Sequence, residues 1–277
     1  MMQNFLLKLL LAPLNSLSKR SDMNLFIKNE QEIVSLRASS EHLARILAEV
    51  LAQAKPGVNT LELDTLAETR MREIGGIPIF KGYGASDRPF PGSICSSINE
   101  EVVHGIPRKD CILKEGDILK IDIGMRYEGM VSDMARSIAI GTVTDEARKI
   151  MQVTEESLLR GIATIRPGAK VSDYARAVQS HVEQNSFSVV RDLVGHSVGR
   201  ELHEDLQIPN YVTREIPDIT FVAGMTLALE PMVNAGTYEV EMAPDDWTFI
   251  TADDRLSAHF EDTVLITEDG VEVLTRP

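Results

Sequence analysis

The sequence is short of cysteine, of positive charge and of long apolar runs, and each shortage excludes something. Two cysteines, Cys95 and Cys111, stand in 277 residues. That is too few for a disulfide framework and suits a reducing, cytoplasmic setting. Lysine and arginine number 28 against 42 aspartates and glutamates, a net charge of −14. A nucleic-acid partner needs a basic surface, so none is expected. The most apolar run, residues 5–14, is interrupted by Lys8 and ended by Pro13. A bilayer span needs about 20 apolar residues, so no membrane helix is expected. A secretory signal carries positive charge ahead of its apolar stretch, and residues 1–4 carry none. The economical expectation is that Met23 opens the functional chain, with residues 1–28 an extension and residues 29–277 a single domain.

What is present is ordinary for a soluble globular protein, 43% hydrophobic and 25% charged. In residues 29–54, Leu43, Leu47, Val50 and Leu51 recur at helical spacing until Lys55-Pro56-Gly57 stops them. A second helix is expected over residues 61–74, ending at Gly75-Gly76. Residues 77–105 are rich in Gly, Pro and Ser and predict loop and short strand. Residues 117–124 alternate as a strand, and residues 127–141 return antiparallel after a turn near Glu128-Gly129.

The plan then repeats. A helix over residues 152–165 ends at Arg166-Pro167-Gly168, 111 residues after the first such stop, and residues 171–184 supply its second helix. Gly224 opens a strand holding Glu230 as Gly116 opens one holding Asp122, each carboxylate six residues after its glycine. A later strand in each half adds Asp133 and Glu261. This half-chain repeat predicts one α+β domain with pseudo-twofold symmetry. Helices would cover the outside of a curved antiparallel sheet, with the site between the halves.

The polar residues in apolar settings carry the chemistry. Asp122 sits among isoleucines, Asp133 in an apolar strand, Glu230 between Leu229 and Pro231, and Glu261 after Phe260. A buried unpaired carboxylate is very costly, so each must meet a cation or donors. Singly, each is explained by a paired arginine or a capped turn. Together they exceed the nearby cations, of which Lys120 and Arg136 are the main ones. Two divalent cations would neutralise all four. With His196 the set is hard and oxygen-rich, suiting Mn²⁺, Fe²⁺, Co²⁺ or Zn²⁺. Two such ions about 3.5–4 Å apart can share a water, bring its pKa towards neutrality and clamp a tetrahedral intermediate.

The series His104 in Val103-His104-Gly105-Ile106-Pro107, Asp122, Asp133, His196, His203 in Leu202-His203-Glu204-Asp205, Glu230 in Leu229-Glu230-Pro231-Met232, and Glu261 in Phe260-Glu261-Asp262-Thr263 resembles the type I methionine aminopeptidases. The likeness runs from about Glu30 to Thr275, in order. It implies the pita-bread fold and removal of N-terminal methionine from nascent proteins by a monomer, with the ribosome a candidate partner. It implies that Asp122, Asp133, His196, Glu230 and Glu261 bind two divalent metals, Asp133 and Glu261 bridging. His104 would lie near the substrate amine and His203 would donate to the scissile carbonyl. Glu230 would also shuttle a proton to the leaving amine. The methionine pocket would be lined by Phe80, Tyr83, Phe90, Cys95, Leu202 and Trp247, the only tryptophan.

Three departures from the family pattern bear on the pocket. The Tyr83–Phe90 loop is about four residues longer, Ser197 replaces a more usual glycine, and Leu202 stands where phenylalanine is common. A Xaa-Pro aminopeptidase or prolidase shares the ligands but usually carries a further N-terminal domain, for which about 28 residues leave no room. A non-catalytic relative would have lost ligands, and every one is present.

Overall fold

The computed structural model describes residues 26–276; the expected start at Met23 and the extension over residues 1–22 lie outside them. The first helix, α1 (Glu30–Gln53), begins where Asn29 accepts from Glu32 N and the Glu32 carboxylate takes the Asn29 N–H, a capping box. Asn59 caps α2 (Thr60–Glu73) by accepting from Glu62 N. The third helix, α3 (Asp145–Ile162), starts seven residues before the expected position. Thr144 accepts from Ala147 N, and Asp145 and Glu146 complement the helix dipole, so the turn preceding the apolar stripe is also helical. The expected fourth helix is found at α4 (Val171–Gln184).

The strands are β1 (Ile77–Pro78), β2 (Ile94–Ile98), β3 (Glu101–Val103), β4 (Ile118–Tyr127), β5 (Met130–Ala139), β6 (Ser188–Val189), β7 (Gly195–Ser197), β8 (Glu204–Ile208), β9 (Thr226–Leu229), β10 (Met232–Asn234), β11 (Val240–Met242), β12 (Phe249–Thr251), β13 (Ser257–His259), β14 (Asp262–Ile266) and β15 (Val271–Val273). In the first half β5 pairs along the whole length of β4, and β2 and β1 pair with successive parts of the other edge of β4. The β4–β5 turn places Glu128 at φ 48° and Gly129 at φ 84°, the double left-handed geometry that matches strand twist in a two-residue hairpin. The second half holds the order β15–β14–β9–β7–β8, and the smaller sheets β13–β10–β6 and β11–β12–β3 complete the α+β fold. All strand pairs are antiparallel.

Each half buries its own helix pair. α1 and α2 pack Leu43, Leu47, Leu63 and Met71 onto Leu119, Ile121 and Ile123. α3 and α4 pack Ile150, Val153, Tyr174 and Val178 with Leu227, Leu229 and Val264. The halves meet along the β3–β12 ladder and at a bridge beside the site, where Glu261 N donates to Ala135 O at 2.9 Å and Ala135 N to Glu261 O at 3.3 Å. β5 is thereby tied to the segment entering β14.

Residues just ahead of the expected boundary at 29 are packed: Phe26 is buried in the second-half core, Ile27 bridges Met225, and the buried Lys28 ammonium meets Glu204 at 2.7 Å. Burying one such phenylalanine is worth roughly 1.5–3 kcal/mol. Glu230 also lies just past β9 rather than inside it, since Pro231 has no N–H with which to extend the ladder.

Candidate metal centre

The carboxylates converge where the halves join. Asp122 and Asp133 come from the β4–β5 hairpin, and Glu230 and Glu261 flank the β9–β14 pair, where Leu229 faces Asp262. His196 enters from β7, opposite Ala228 of β9 and next to a register shift at Ser197. One ligand atom each of Asp133, His196 and Glu261 lies within 4.8 Å of the others. His196 Nε2 is 3.4 Å from Glu230 Oε1 and 3.9 Å from Asp133 Oδ2.

This cluster is short of partners. Asp122 Oδ1, Asp133 Oδ1 and Glu261 Oε1 are buried without a hydrogen bond. Lys120 and Arg136, the cations nearest in sequence, turn elsewhere. Lys120 Nζ donates to the carbonyls of Asn99 and Ser257, and Arg136 to Asp262 and the carbonyl of Glu261. Burial pushes the Asp122 carboxyl up to about 7. Burial and then the neighbouring carboxylates push Asp133, Glu230 and Glu261 well above the ordinary range. Native proteins rarely leave buried oxygens orphaned, and cations reverse the protonation preference of such a set. The donors therefore fit divalent cations.

The histidines are arranged around it. Nδ1 of His196 lies 3.1 Å from the Ser197 carbonyl, which can only accept. Nδ1 thus carries the proton, and the Nε2 lone pair faces Asp133 and Glu230, as a metal ligand requires. Burial holds this imidazole neutral, down to about 4. The His203 ring lies 4.3 Å from that of His196, at the exposed mouth. Desolvation, then His196 and His104, lower its proton affinity. His104 adopts φ 59°, and a Cβ on the following Gly105 would fall 2.3 Å from the Ser96 carbonyl. This glycine lets the His104 turn lie against β2. Desolvation lowers His104 to about 4.

Sequence reasoning missed His259. It is buried, its Nε2 lacks a hydrogen bond and lies 4.0 Å from Glu230 Oε2. Burial pushes it down to about 3. The signal was its place two residues before Glu261 in an extended segment, which puts both side chains on one face.

The expected pocket residues divide. Phe80, Phe90, Cys95 and Leu202 are buried together with Val131, Val198 and Ala228, and Trp247 packs against them. The Phe90 and Trp247 rings meet edge to face at 5.2 Å. Cys95 faces Asp122 across the β2–β4 ladder, so this apolar cluster borders the carboxylates directly. Burial, then the charges of Asp122, Asp133 and Glu261, raise its thiol pKa. Tyr83 stands outside the cluster, 41% exposed, with its hydroxyl 2.6 Å from His203 Nδ1. The longer loop does not separate its anchors: Phe90 N donates to Tyr83 O at 2.8 Å and Gly82 N to Phe90 O at 2.9 Å. The extra residues bulge outward, held by an Arg88–Asp246 ion pair. Ser197 is buried in β7, its hydroxyl without a partner.

The profile of Metallopeptidase family M24 matches residues 34–268. The chain belongs to family M24. A methionine aminopeptidase of Clostridium acetobutylicum is 45% identical over 251 residues, 91% of this chain and 98% of that one. The crystal structure of methionine aminopeptidase from Thermotoga maritima superposes with a TM-score of 0.86 at 41% identity, covering 91% of this chain and 99% of the other. The prolidase of Pyrococcus horikoshii shares the M24 fold, with a TM-score of 0.72 at 20% identity, and the match spans 92% of this chain and 64% of the prolidase. The pita-bread architecture expected from the sequence is therefore that of this M24 chain. Among the described residues no helix is long and apolar enough to cross a membrane.

Proposed function

We propose that this chain removes the N-terminal methionine from nascent proteins, with residues 29–277 acting as one catalytic unit to which Phe26–Lys28 are packed. The observation that carries the reading is the contact between an apolar cluster and the orphaned carboxylates: Cys95 belongs to the first and lies opposite Asp122 of the second. A long, unbranched, polarisable side chain suits a wall of aromatic rings and sulfur. Phe80, Phe90, Cys95, Leu202 and Trp247 are its proposed lining, with Tyr83 at the rim.

Asp122, Asp133, His196, Glu230 and Glu261 would hold two divalent cations, of cobalt, manganese, iron or zinc. When bound, these ions supply Lewis acidity to a water and to the scissile carbonyl. The chain's own residues do the rest. Glu230 would take the proton that the attacking water gives up and pass it to the leaving amine. His203, neutral at the mouth, donates to the carbonyl oxygen as negative charge develops there. His104, kept neutral by desolvation, would meet the substrate amine without repelling it. We assign the cytoplasm as the setting, where nascent chains and the ribosome are met and free thiols such as Cys95 and Cys111 stay reduced. The chemistry asks for no second copy, so a monomer suffices.

The test is hydrolysis of Met-Ala-Ser and Ala-Pro peptides by chelated protein resupplied with each metal in turn. Release of methionine with no cleavage of Ala-Pro is expected. Preference for Ala-Pro, or no hydrolysis with any of the four metals, overturns the reading.

A further inference from the structure

His196 and His203 are close enough for their rings to touch, yet their Nδ1 atoms face partners of different character. The partner of His196 Nδ1 is a carbonyl, 3.1 Å away, which can only accept. The partner of His203 Nδ1 is the Tyr83 hydroxyl, 2.6 Å away, which can do either. Between a neutral phenol and a neutral imidazole the direction is settled by chemistry. The phenol is the more acidic donor, and the bare ring nitrogen is the more basic acceptor.

We propose that Tyr83 is a positioning residue: its hydroxyl donates to Nδ1 of His203, which puts the single ring proton on Nε2 and leaves that N–H to meet the carbonyl of the bond being cut. The inference rests on the donor role given to His203 above. In the other tautomer, Nε2 would turn a lone pair towards an oxygen that is gaining negative charge. Two neighbouring histidines are thus set to opposite tautomers by their Nδ1 partners, one to bind with a lone pair and the other to donate.

The geometry around Tyr83 supports this use over simple lining. Its ring is tilted at 56° to that of His203 with centroids 5.3 Å apart, and it remains 41% exposed, outside the buried apolar cluster. Its backbone is gripped on both sides: Tyr83 N donates to Phe80 O at 2.9 Å, and Tyr83 O accepts from Phe90 N at 2.8 Å. The base of the loop therefore holds the hydroxyl in place whatever the bulged residues do. Desolvation, then the Asp133 charge, raise the phenol pKa, so the oxygen keeps the proton it donates.

The test compares the full-length wild type, Tyr83→Phe, His203→Ala and the double variant on Met-Ala-Ser, together with nitrogen NMR of His203 in metal-free protein. Tyr83→Phe removes one hydrogen bond and keeps the ring. It should lower kcat about five- to tenfold with KM nearly unchanged, and should add nothing in the His203→Ala background. In the wild-type spectrum Nε2 of His203 should be protonated and Nδ1 bare, and Tyr83→Phe should give a mixture. An equal loss in both backgrounds, a rise in KM at constant kcat, or a wild-type ring protonated on Nδ1 overturns the inference. Full kcat in His203→Ala would instead overturn the donor role itself, and the spectrum still decides whether Tyr83 sets the tautomer.

Discussion

The carboxylate floor of the site and the apolar wall beside it are held by different forces. Asp122 and Asp133 ride on a ten-residue hairpin ladder, and Glu261 is pinned by two backbone hydrogen bonds to Ala135. Their positions are set by register, and what each side chain contributes is charge. The wall is gathered from distant pieces: Phe80 and Phe90 from one loop, Cys95 from β2, Leu202 after β7 and Trp247 before β12. Those positions are set by packing, and what each contributes is shape. A change in the floor should therefore act through electrostatics and be large. A change in the wall should act through a few methylenes and be small.

The sharpest way to break this comparison is Asp133→Asn. An amide is nearly the same size but is a poorer ligand than the carboxylate proposed to bridge two cations, so activity should fall below detection and most bound metal should be lost, read by elemental analysis and Met-Ala-Ser hydrolysis. Normal stoichiometry with normal turnover would show that charge at this position is not what matters. Next in size is His203→Ala, which removes the proposed oxyanion donor and should cost on the order of 10²–10³ in kcat while the metal stays bound. Metal loss in that variant would move His203 into the floor.

A third measurement uses the raised carboxyl pKa values. In the metal-free protein, burial holds Asp122 protonated up to about 7, and Asp133, Glu230 and Glu261 are raised further by one another. Binding a cation must expel those protons, so affinity should fall as pH drops through 7 and calorimetry at pH 7 should register net proton release. Release should shrink as pH rises to 8.5 and beyond. Binding without proton release at pH 7 would mean the carboxylates are already ionised.

The smallest effect belongs to the wall. Burial is worth about 0.8 kcal/mol per methylene, so a wall looser by one or two methylenes discriminates only modestly between methionine, norleucine and leucine. Methionine should be cleaved first, norleucine measurably and leucine weakly. Leu202→Phe should narrow that range by a few-fold in kcat/KM. Identical ratios in both proteins would place Leu202 behind the wall.

The legibility of the two regions in the sequence follows the same division. Charged residues inside apolar strands are costly, so Asp122, Asp133, Glu230 and Glu261 stood out, and the Glu128-Gly129 turn between the first two was readable from local chemistry. The early start of α3 also has a local cause in Thr144, whose hydroxyl accepts from Ala147 N. His259 was passed over because a lone histidine in a short strand is ordinarily core. Its place two residues before Glu261 hints at a shared face, and its 4.0 Å approach to Glu230 brings it to the site.

The sequence by itself determined the α+β plan, the two helix-then-strand halves and the residue types of the candidate metal centre, because helix caps, turns and strand alternation are local and a buried carboxylate demands compensation wherever it lies. Tertiary structure alone decided which atoms face one another. It turned Lys120 and Arg136 away from the carboxylates, joined the halves at Ala135 and Glu261, kept Tyr83 and Phe90 paired beneath the longer loop, and gave His196 and His203 different Nδ1 partners. Those outcomes depend on long-range register and packing, with partners such as Tyr83 and His203 separated by 120 residues, and no local pattern encodes a contact at that range.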